Sequence, residues 1–533
     1  MNADHANVPW RRWERIALIV FVVGFGLYAM SRGQSANFDL RNYHWYNGWA
    51  WLNDRHGWDL AAAQTQSWFN PLMPAGLYLL LSSLKPWAGT FLLGCLQGLN
   101  IVPLHRIALR VAPGDMLARH RWLPLVIAVV GATGAAQRGE AGTTFGDNLV
   151  SLPLLFAIAL LLPVAGRCAT DAWKRITAAG LLLGLAVGIK LTLAPWALGI
   201  GAALVCMGPT LPDALKRGIL LAGTAAALFL VSSGAWMWQL WQEFHNPLFP
   251  LFANLFGGEF QPPADLRDRR FLPVSVIEWL AYPLAWVSSS RRVSELWFLD
   301  LRVPLWFLSL VALPLWWRRL GLSRERHALA FVLVLGAASY AGWLVLFGIY
   351  RYLVVLEMLA PVVVAAVLWT LPFSGRGRAA TLAVVLLTVG VTTKPANWGH
   401  ARHYGAQYVE VAVPAVPGLD RAMIVMADGE PLSFVIPQFP WTTQFVRVGG
   451  GFIGPPMPPW ALDRVAAKRI ASHTGPFYAL FSPKNRTAAE QALAAAGIAL
   501  GDGECRPVPA NLYDRNAPVP VLCPAQRAAA PMP

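Results

Sequence analysis

The chain has 533 residues, 56% hydrophobic and 13% charged, with a net charge of +15 at pH 7. Soluble domains carry about 25% charged residues, so a chain of mean hydropathy +0.46 cannot hide its apolar surface in one aqueous core, and lipid is its main solvent. The positive charge does not mark nucleic-acid binding, because it is confined to short loops between apolar stretches.

Those loops hold Arg11, Arg12 and Arg15; Arg106, Arg110, Arg119 and Arg121; Arg167, Lys174 and Arg175; Lys216 and Arg217; Arg318, Arg319, Arg324 and Arg326; and Arg376 and Arg378. Together they contain 18 of the 43 Lys and Arg but only six acidic residues. This is the pattern that keeps basic loops in the cytoplasm. From the N-terminus, basic residues precede an apolar run from Ile16 to Met30 with no small-residue cleavage site after it, which predicts a retained first helix. Apolar segments recur at 13–30, 87–105, 122–137, 148–166, 175–189, 191–207, 218–240, 302–317, 327–349, 352–372 and 379–394. Eleven crossings that start inside put every basic loop in the cytoplasm and the C-terminus in the periplasm of a bacterial inner membrane. The segment 71–84 is apolar but short, and Lys85-Pro86 follows it. Counted as a crossing it would turn the basic 106–121 loop outward, so it reads as a juxtamembrane or re-entrant helix on the outer side.

The outer face then receives loops 31–70, 138–147 and 241–301 and the tail 395–533. In the tail, strands are predicted over 422–428, 477–483 and near 519–523, and helices over 461–473 and 487–497. Its proline- and alanine-rich end, 524–533, reads as disordered. Cys505 and Cys523 fall in this polar tail, where an oxidising compartment allows a disulfide; Cys95, Cys168 and Cys206 read as inert. The predicted fold is an all-α polytopic membrane domain, 1–394, followed by a small extracytoplasmic α/β domain, 395–533.

Polar groups of chemical interest gather in the outer segments. The first loop begins Asn37-Phe38-Asp39-Leu40-Arg41-Asn42-Tyr43-His44, which puts a carboxylate, a guanidinium and an imidazole just beyond the first crossing. Asp39 there is placed to take a proton from an acceptor or to hold a metal, or simply to cap the next helix. The apolar run Gly48–Leu52 is expected to lie along the membrane surface. The segment 138–147 carries Glu140 and Asp147 among glycines, with helix capping as the structural alternative. Lys190 interrupts an apolar stretch at an outward corner, where its ammonium reaches either a ligand phosphate or ordinary head groups. Arg351 lies at the outer boundary and suits a phosphate; Glu357, six residues on, reads as a site wall or a buried partner. In the third loop, His245-Asn246-Pro247-Leu248-Phe249-Pro250 is suited to a hydrocarbon groove, while Arg269 and Arg270 are either phosphate ligands or a solvated cluster.

No Walker A, GxSxG, HExxH or CxxC pattern is present, which removes ATP-driven pumps and the commonest hydrolase and zinc readings. Asp39 in FDLRNYH, the loop end FNPLMP (69–74), the carboxylates of GEAGTTFGD, the corner GIKLT (188–192) and YRYLVVLE (350–357) together resemble the GT-C superfamily of membrane glycosyltransferases that use polyprenyl-phosphate-linked sugars. The resemblance covers roughly 13–394. It implies an inverting transfer to a glycan, lipid or protein acceptor, with Asp39 as base and Glu140 and Asp147 assisting with acceptor or metal. It also implies that Lys190 and Arg351 neutralise the leaving phosphate; Arg41 and His44 of the first loop are read as further substrate-binding groups. A divalent metal, Mg or Mn, is the one cofactor implied, although Asp39 is followed by Leu40, Arg41 and Asn42 and not by a second acid. Two other readings remain: a transporter or flippase of a lipid-linked or small polar solute, and an assembly protein that displays its outer domain.

Overall fold

A computed structural model describes residues 10–165, 169–264, 266–316, 324–401, 403–513 and 518–528. Arg167, Cys168, Arg318, Arg319 and the chain end from Ala529 lie outside the described residues.

The helices follow in chain order as α1 (Arg12–Arg32), α2 (Trp45–Leu52), α3 (Leu72–Ser83), α4 (Pro86–Gly98), α5 (Ile101–Val111), α6 (Gly114–Arg119), α7 (Leu123–Gly131), α8 (Ala135–Gly139), α9 (Asp147–Ala165) and α10 (Ala172–Ile189). They continue as α11 (Ala194–Cys206), α12 (Leu211–Phe244), α13 (Ala253–Phe256), α14 (Val276–Ser288), α15 (Arg302–Trp316), α16 (Arg324–Leu346), α17 (Val354–Leu368) and α18 (Gly375–Thr392). The tail adds α19 (Ala461–Ser472) and α20 (Arg486–Ala495).

Among the described residues, seven helical stretches are long and apolar enough to cross a membrane: Arg12–Arg32, Pro86–Val111, Asp147–Ala165, Ala172–Ile189, Leu211–Phe244, Arg326–Leu346 and Tyr350–Leu368. This is a multi-pass membrane protein. Of the other expected crossings, 379–394 falls in the 18-residue α18 and the rest take shorter forms. The stretch 122–137 is broken between α7 and α8, because Asp300 accepts the Ala135 amide (2.8 Å) and Glu357 accepts those of Ala136 (3.0 Å) and Gln137 (3.2 Å). These bonds satisfy helix-end donors that a continuous helix would have used internally. The stretch 191–207 opens with a 3-10 turn before the 13 residues of α11, and 302–317 forms the 15-residue α15. The short apolar stretch at 71–84 is the 12-residue α3. The main apolar core surrounds α17, which is buried on all sides from Val354 to Val367, as expected of a helix apolar all round.

The tail forms one sheet from β3 (Met423–Met426), β4 (Gln444–Arg447), β5 (Phe477–Phe481), β6 (Ile498–Leu500), β7 (Arg506–Pro507) and β8 (Val521–Arg527). Its order is β4-β3-β5-β8-β6, with β7 also on β8; β3, β4 and β5 run parallel and β8 is antiparallel. Cys505 and Cys523 are joined by a disulfide. The expected disorder from 524 is corrected at its start, since Pro524–Arg527 pair with β5 and β6 and satisfy their backbone groups there. A further pair, β1 (Gln34–Ser35) with β2 (His400–Ala401), ties the exit of α1 to the start of the tail.

Both faces of the parallel strands are covered, as such strands require. Met423 and Val425 pack with Trp68, Trp236, Leu240 and Phe244, whereas Ile424 and Met426 pack with Trp45, Tyr46, Trp49 and Ala50 of α2. The expectation that Gly48–Leu52 lies along the membrane surface is therefore corrected. Only Trp51 and Leu52 stay exposed, because the sheet gives α2 an apolar partner that neither water nor head groups supply. The first outer loop also covers the open edge of β4. Leu60 bridges Val446, the Leu60 amide donates to the Phe445 carbonyl (2.9 Å), and the Arg447 amide donates to the Leu60 carbonyl (3.0 Å).

Arg55 and Asp59 pin this junction. Arg55 Nε donates to Asp59 at 3.0 Å, and its other nitrogens reach the Trp441 and Thr443 carbonyls. Asp59 also accepts from Tyr46 Oη and the Phe445 amide, both at 3.0 Å. With Arg55 1% exposed, Arg55→Ala leaves a buried carboxylate without its cation, at a cost of about 3–5 kcal/mol. The expected readout is a lower melting temperature in detergent together with faster proteolytic release of the tail.

Candidate active site

The ends of several membrane helices converge on one place. α1 runs out just before it, α9 and α17 begin at it, and α10 ends at it. At the opposite end of α1, Glu14 meets Arg121 of a basic loop (3.0 Å). The convergence therefore lies across the bundle from that basic loop.

Beyond α1, Asn37 Oδ1 accepts the Leu40 amide (2.8 Å) and starts a π-helical turn, Leu40–His44, that runs on into α2. Such a wide turn aligns Asp39 with Tyr43 and His44 on one side. Asp39 Oδ2 accepts from Tyr43 Oη (3.2 Å) and from Arg351 Nη1 (3.1 Å). Burial acts to raise the Asp39 carboxyl, but the Arg351 guanidinium, with the Lys190 ammonium adding, overrides it and holds the group below the usual carboxylate range. His44 Nδ1 pairs with Thr144 Oγ1 (3.1 Å), and its Nε2 is buried with no partner among the described residues. Burial drives this imidazole down to about 3 against the pull of Asp39, so the ring is neutral.

The second cation comes from the C-terminal end of α10. Lys190 Nζ donates to Asp147 Oδ1 (2.6 Å) and to the Phe145 carbonyl (2.9 Å). Tyr352 lies between the two cations, its ring 5.5 Å from the ammonium and 5.3 Å from the Arg351 guanidinium. Phe145 (4.5 Å) and Trp398 (5.9 Å) also face that guanidinium, so Arg351 is held by π faces as well as by Asp39.

Asp39, His44, Lys190 and Arg351 border a cavity of ≈ 150 Å³ whose remaining walls are mostly apolar, including Phe69, Met73, Phe229, Trp236, Leu240 and Phe249. Pro247, Leu248 and Phe249 of the third loop line it, where a hydrocarbon groove was expected. Asn70, in the FNPLMP loop end, bonds the carbonyls of Gly188 (2.9 Å) and Ser232 (3.1 Å) and fixes that wall.

Other expected site residues lie elsewhere. Asp147 sits behind Lys190 and not on the cavity wall. Glu140 is fully buried, with no hydrogen-bond partner for either carboxyl oxygen among the described residues; burial, reinforced by Asp147, pushes its carboxyl well up. Glu357 is corrected from a site wall to the capping group of α8. A Cβ at Gly134 would run into Glu357 Oε1, so Gly134→Ala is expected to overpack the junction by about 1–3 kcal/mol, seen as a lower melting temperature. Arg41 is turned toward the tail, near Tyr513. Arg269 and Arg270 are corrected as phosphate ligands: both are exposed away from the cavity, and Arg270 pairs with Asp268 (2.6 Å). Tyr43, Thr144 and Tyr352 stand next to expected residues without having been singled out, and Trp398 had no signal in the sequence at all.

A Mg or Mn ion would draw on Asp39, His44, Glu140 and Asp147, and their arrangement does not fit one. Asp39 faces Arg351, Asp147 faces Lys190 and His44 Nδ1 faces Thr144. Among the described residues no three His, Cys, Asp or Glu gather as a metal would need.

No protein-family model matches the chain, and no curated protein matches it in sequence. Solved structures do. ArnT from Cupriavidus metallidurans bound to undecaprenyl phosphate is 14% identical with a TM-score of 0.53, over 96% of this chain and 97% of that one. The apo state of the same protein gives 14% and 0.47 over 96% of each chain. The apo oligosaccharyltransferase of Archaeoglobus fulgidus gives 11% and 0.47, over 95% of this chain and 75% of that one. The first match runs almost end to end through the membrane helices and the tail alike, and on it the chain shares the overall fold of that protein.

Proposed function

We propose that the protein moves a sugar from a polyprenyl-phosphate donor to an acceptor at the periplasmic face of a bacterial inner membrane. The observation that carries this reading is the meeting of Asp39, Lys190 and Arg351, from three distant parts of the chain, at the polar end of one apolar cavity. A polyprenyl phosphate has the same division, with a hydrocarbon chain and an anionic head. The ArnT structure with undecaprenyl phosphate shows that this fold accommodates such a lipid in that protein.

In the proposed reaction the donor phosphate lies between Lys190 and Arg351, and the acceptor approaches Asp39. Asp39 takes the proton from the acceptor oxygen as that oxygen bonds to the anomeric carbon. The bond from this carbon to the phosphate oxygen breaks from the opposite side, which inverts the anomeric centre, and polyprenyl phosphate leaves with the electron pair. Its added negative charge develops where two fixed cations already stand, which lowers the barrier. Asp147 orients Lys190, and Tyr352 spaces the two cations. Neutral His44 offers Nε2 to a substrate hydroxyl. The cations supply the charge compensation, and no step runs through a metal.

The sidedness follows from the basic loops: with those in the cytoplasm, the N-terminus is cytoplasmic and the tail periplasmic. The test supplies undecaprenyl-phosphate-linked glucose, mannose and arabinose to protein in nanodiscs and follows a covalent sugar product by mass spectrometry. Product that disappears in Asp39→Asn supports transfer. Movement of the intact sugar lipid across proteoliposomes with no covalent product would replace this reading with the transport one.

A further inference from the structure

A second, smaller pocket of ≈ 30 Å³ lies on the far side of the Trp68 and Trp236 wall, where the first outer loop, the outer end of α12 and α19 meet. The two cavities share Trp68, Trp236 and Leu240. The wall is fixed by the Trp236 Nε1 bond to the Trp68 carbonyl (3.0 Å) and by the edge contacts of Trp68 with Phe244 and Phe249.

The second pocket differs from the first in chemistry. Gln239 and Glu243, one turn apart on α12, line it together with His56 and Arg469. The His56 ring packs on Trp236 with centroids 4.9 Å apart, and its Nε2 is buried without a partner among the described residues. Burial lowers this imidazole to about 4, so it is neutral and presents either one donor or one acceptor. Arg469 is committed to the carbonyls of Gly57 (2.9 Å) and Trp58 (2.8 Å) and closes the rim. The loop that builds the pocket holds three non-glycine residues in the left-handed region, Asp54, Ala61 and Gln64, a strain that tends to gather at ligand clamps.

We propose that this pocket is the recognition subsite for a carbohydrate acceptor, receiving one hydroxyl or hydroxymethyl arm between His56 and Glu243 while the sugar ring rests at its mouth. The inference rests on the transferase reading. The volume is about one water molecule's share of liquid, which admits such an arm and excludes a whole ring. A hydroxyl both donates and accepts, and Glu243 with the free His56 nitrogen offers the matching partners. An anionic arm would be repelled by the Glu243 carboxylate and would find Arg469 already committed. The pocket is lined by Arg469 of the tail and shares a wall with the apolar cavity, so an acceptor held there stands beside the cavity that takes the donor.

The test is equilibrium binding of tritiated methyl glycosides of glucose, mannose and arabinose to the full-length protein in nanodiscs. The wild type is expected to retain at least one of them. Glu243→Gln and His56→Gln are each expected to weaken that glycoside at least tenfold while undecaprenyl phosphate binds as before. Three results would overturn the subsite: no glycoside bound by the wild type, unchanged affinity in both variants, or a parallel loss of undecaprenyl phosphate binding, which would mark a general structural defect. Asp39→Asn separates the two ideas, because it is expected to bind the glycoside and fail to transfer. If Asp39→Asn still transfers sugar, the transferase mechanism fails, while the glycoside measurement still decides the pocket.

Discussion

Asp39→Asn is expected to lower sugar transfer by a factor of roughly 10²–10⁴, the range for loss of a positioned general base. Asparagine keeps the size of the side chain and can still accept from Tyr43, so binding of undecaprenyl phosphate should survive the change. The pH dependence adds a second, independent reading. Because Arg351 holds the Asp39 carboxyl below its usual range, the ionised, base-competent form persists as pH falls and is lost only below the ordinary carboxylate range. The acid limb of kcat/KM is therefore expected below that range. Arg351→Gln removes the largest charge acting to lower Asp39, leaves burial to raise it, and should carry the limb toward neutrality. A limb near pH 6 that ignores Arg351→Gln would assign the proton to some other group.

Lys190→Met should lower both stability and turnover. Asp147 is 1% exposed and Lys190 14%, so removing the ammonium strands a carboxylate in a buried setting at a cost of about 3–5 kcal/mol. It should also remove one of two charges facing the donor phosphate, a loss of roughly 10²–10³ in turnover by analogy with losing one preorganised transition-state donor. The pair Lys190→Met with Asp147→Asn separates the effects. Neutralising both partners removes the stranded charge, so the melting temperature should largely return while affinity for undecaprenyl phosphate stays low. Full recovery of both would make the ion pair purely structural.

The sequence shows most clearly what the bilayer imposes. Basic loops and apolar runs mark the crossings because lipid penalises every exception, and Asp39, Lys190 and Arg351 stood out as charges at the edge of such runs. What stayed hidden depends on partners distant in the chain. Nothing around Lys190 announces Asp147, and nothing around Glu357 announces that α8 begins where its carboxylate waits, so a broken helix reads as a continuous one. Arg269 and Arg270 looked like ligands because local charge is visible and direction is not. In the tail, β4 is only Gln-Phe-Val-Arg, too short and too polar to read as a strand until Leu60 and Arg55 from the first loop complete its edge. The same loop drew α2 away from its expected place on the membrane surface.

That shared edge has a consequence for biosynthesis. The Phe445 amide that completes the Asp59 carboxylate is 386 residues downstream of it, and β2, which ties down the exit of α1, follows the last membrane helix, α18. While the nascent chain is being inserted, Arg55, Asp59 and the apolar face of α2 lack the strands they pack on until the tail has been made. A polypeptide stalled before residue 444 is therefore expected to carry its membrane helices with this junction unformed.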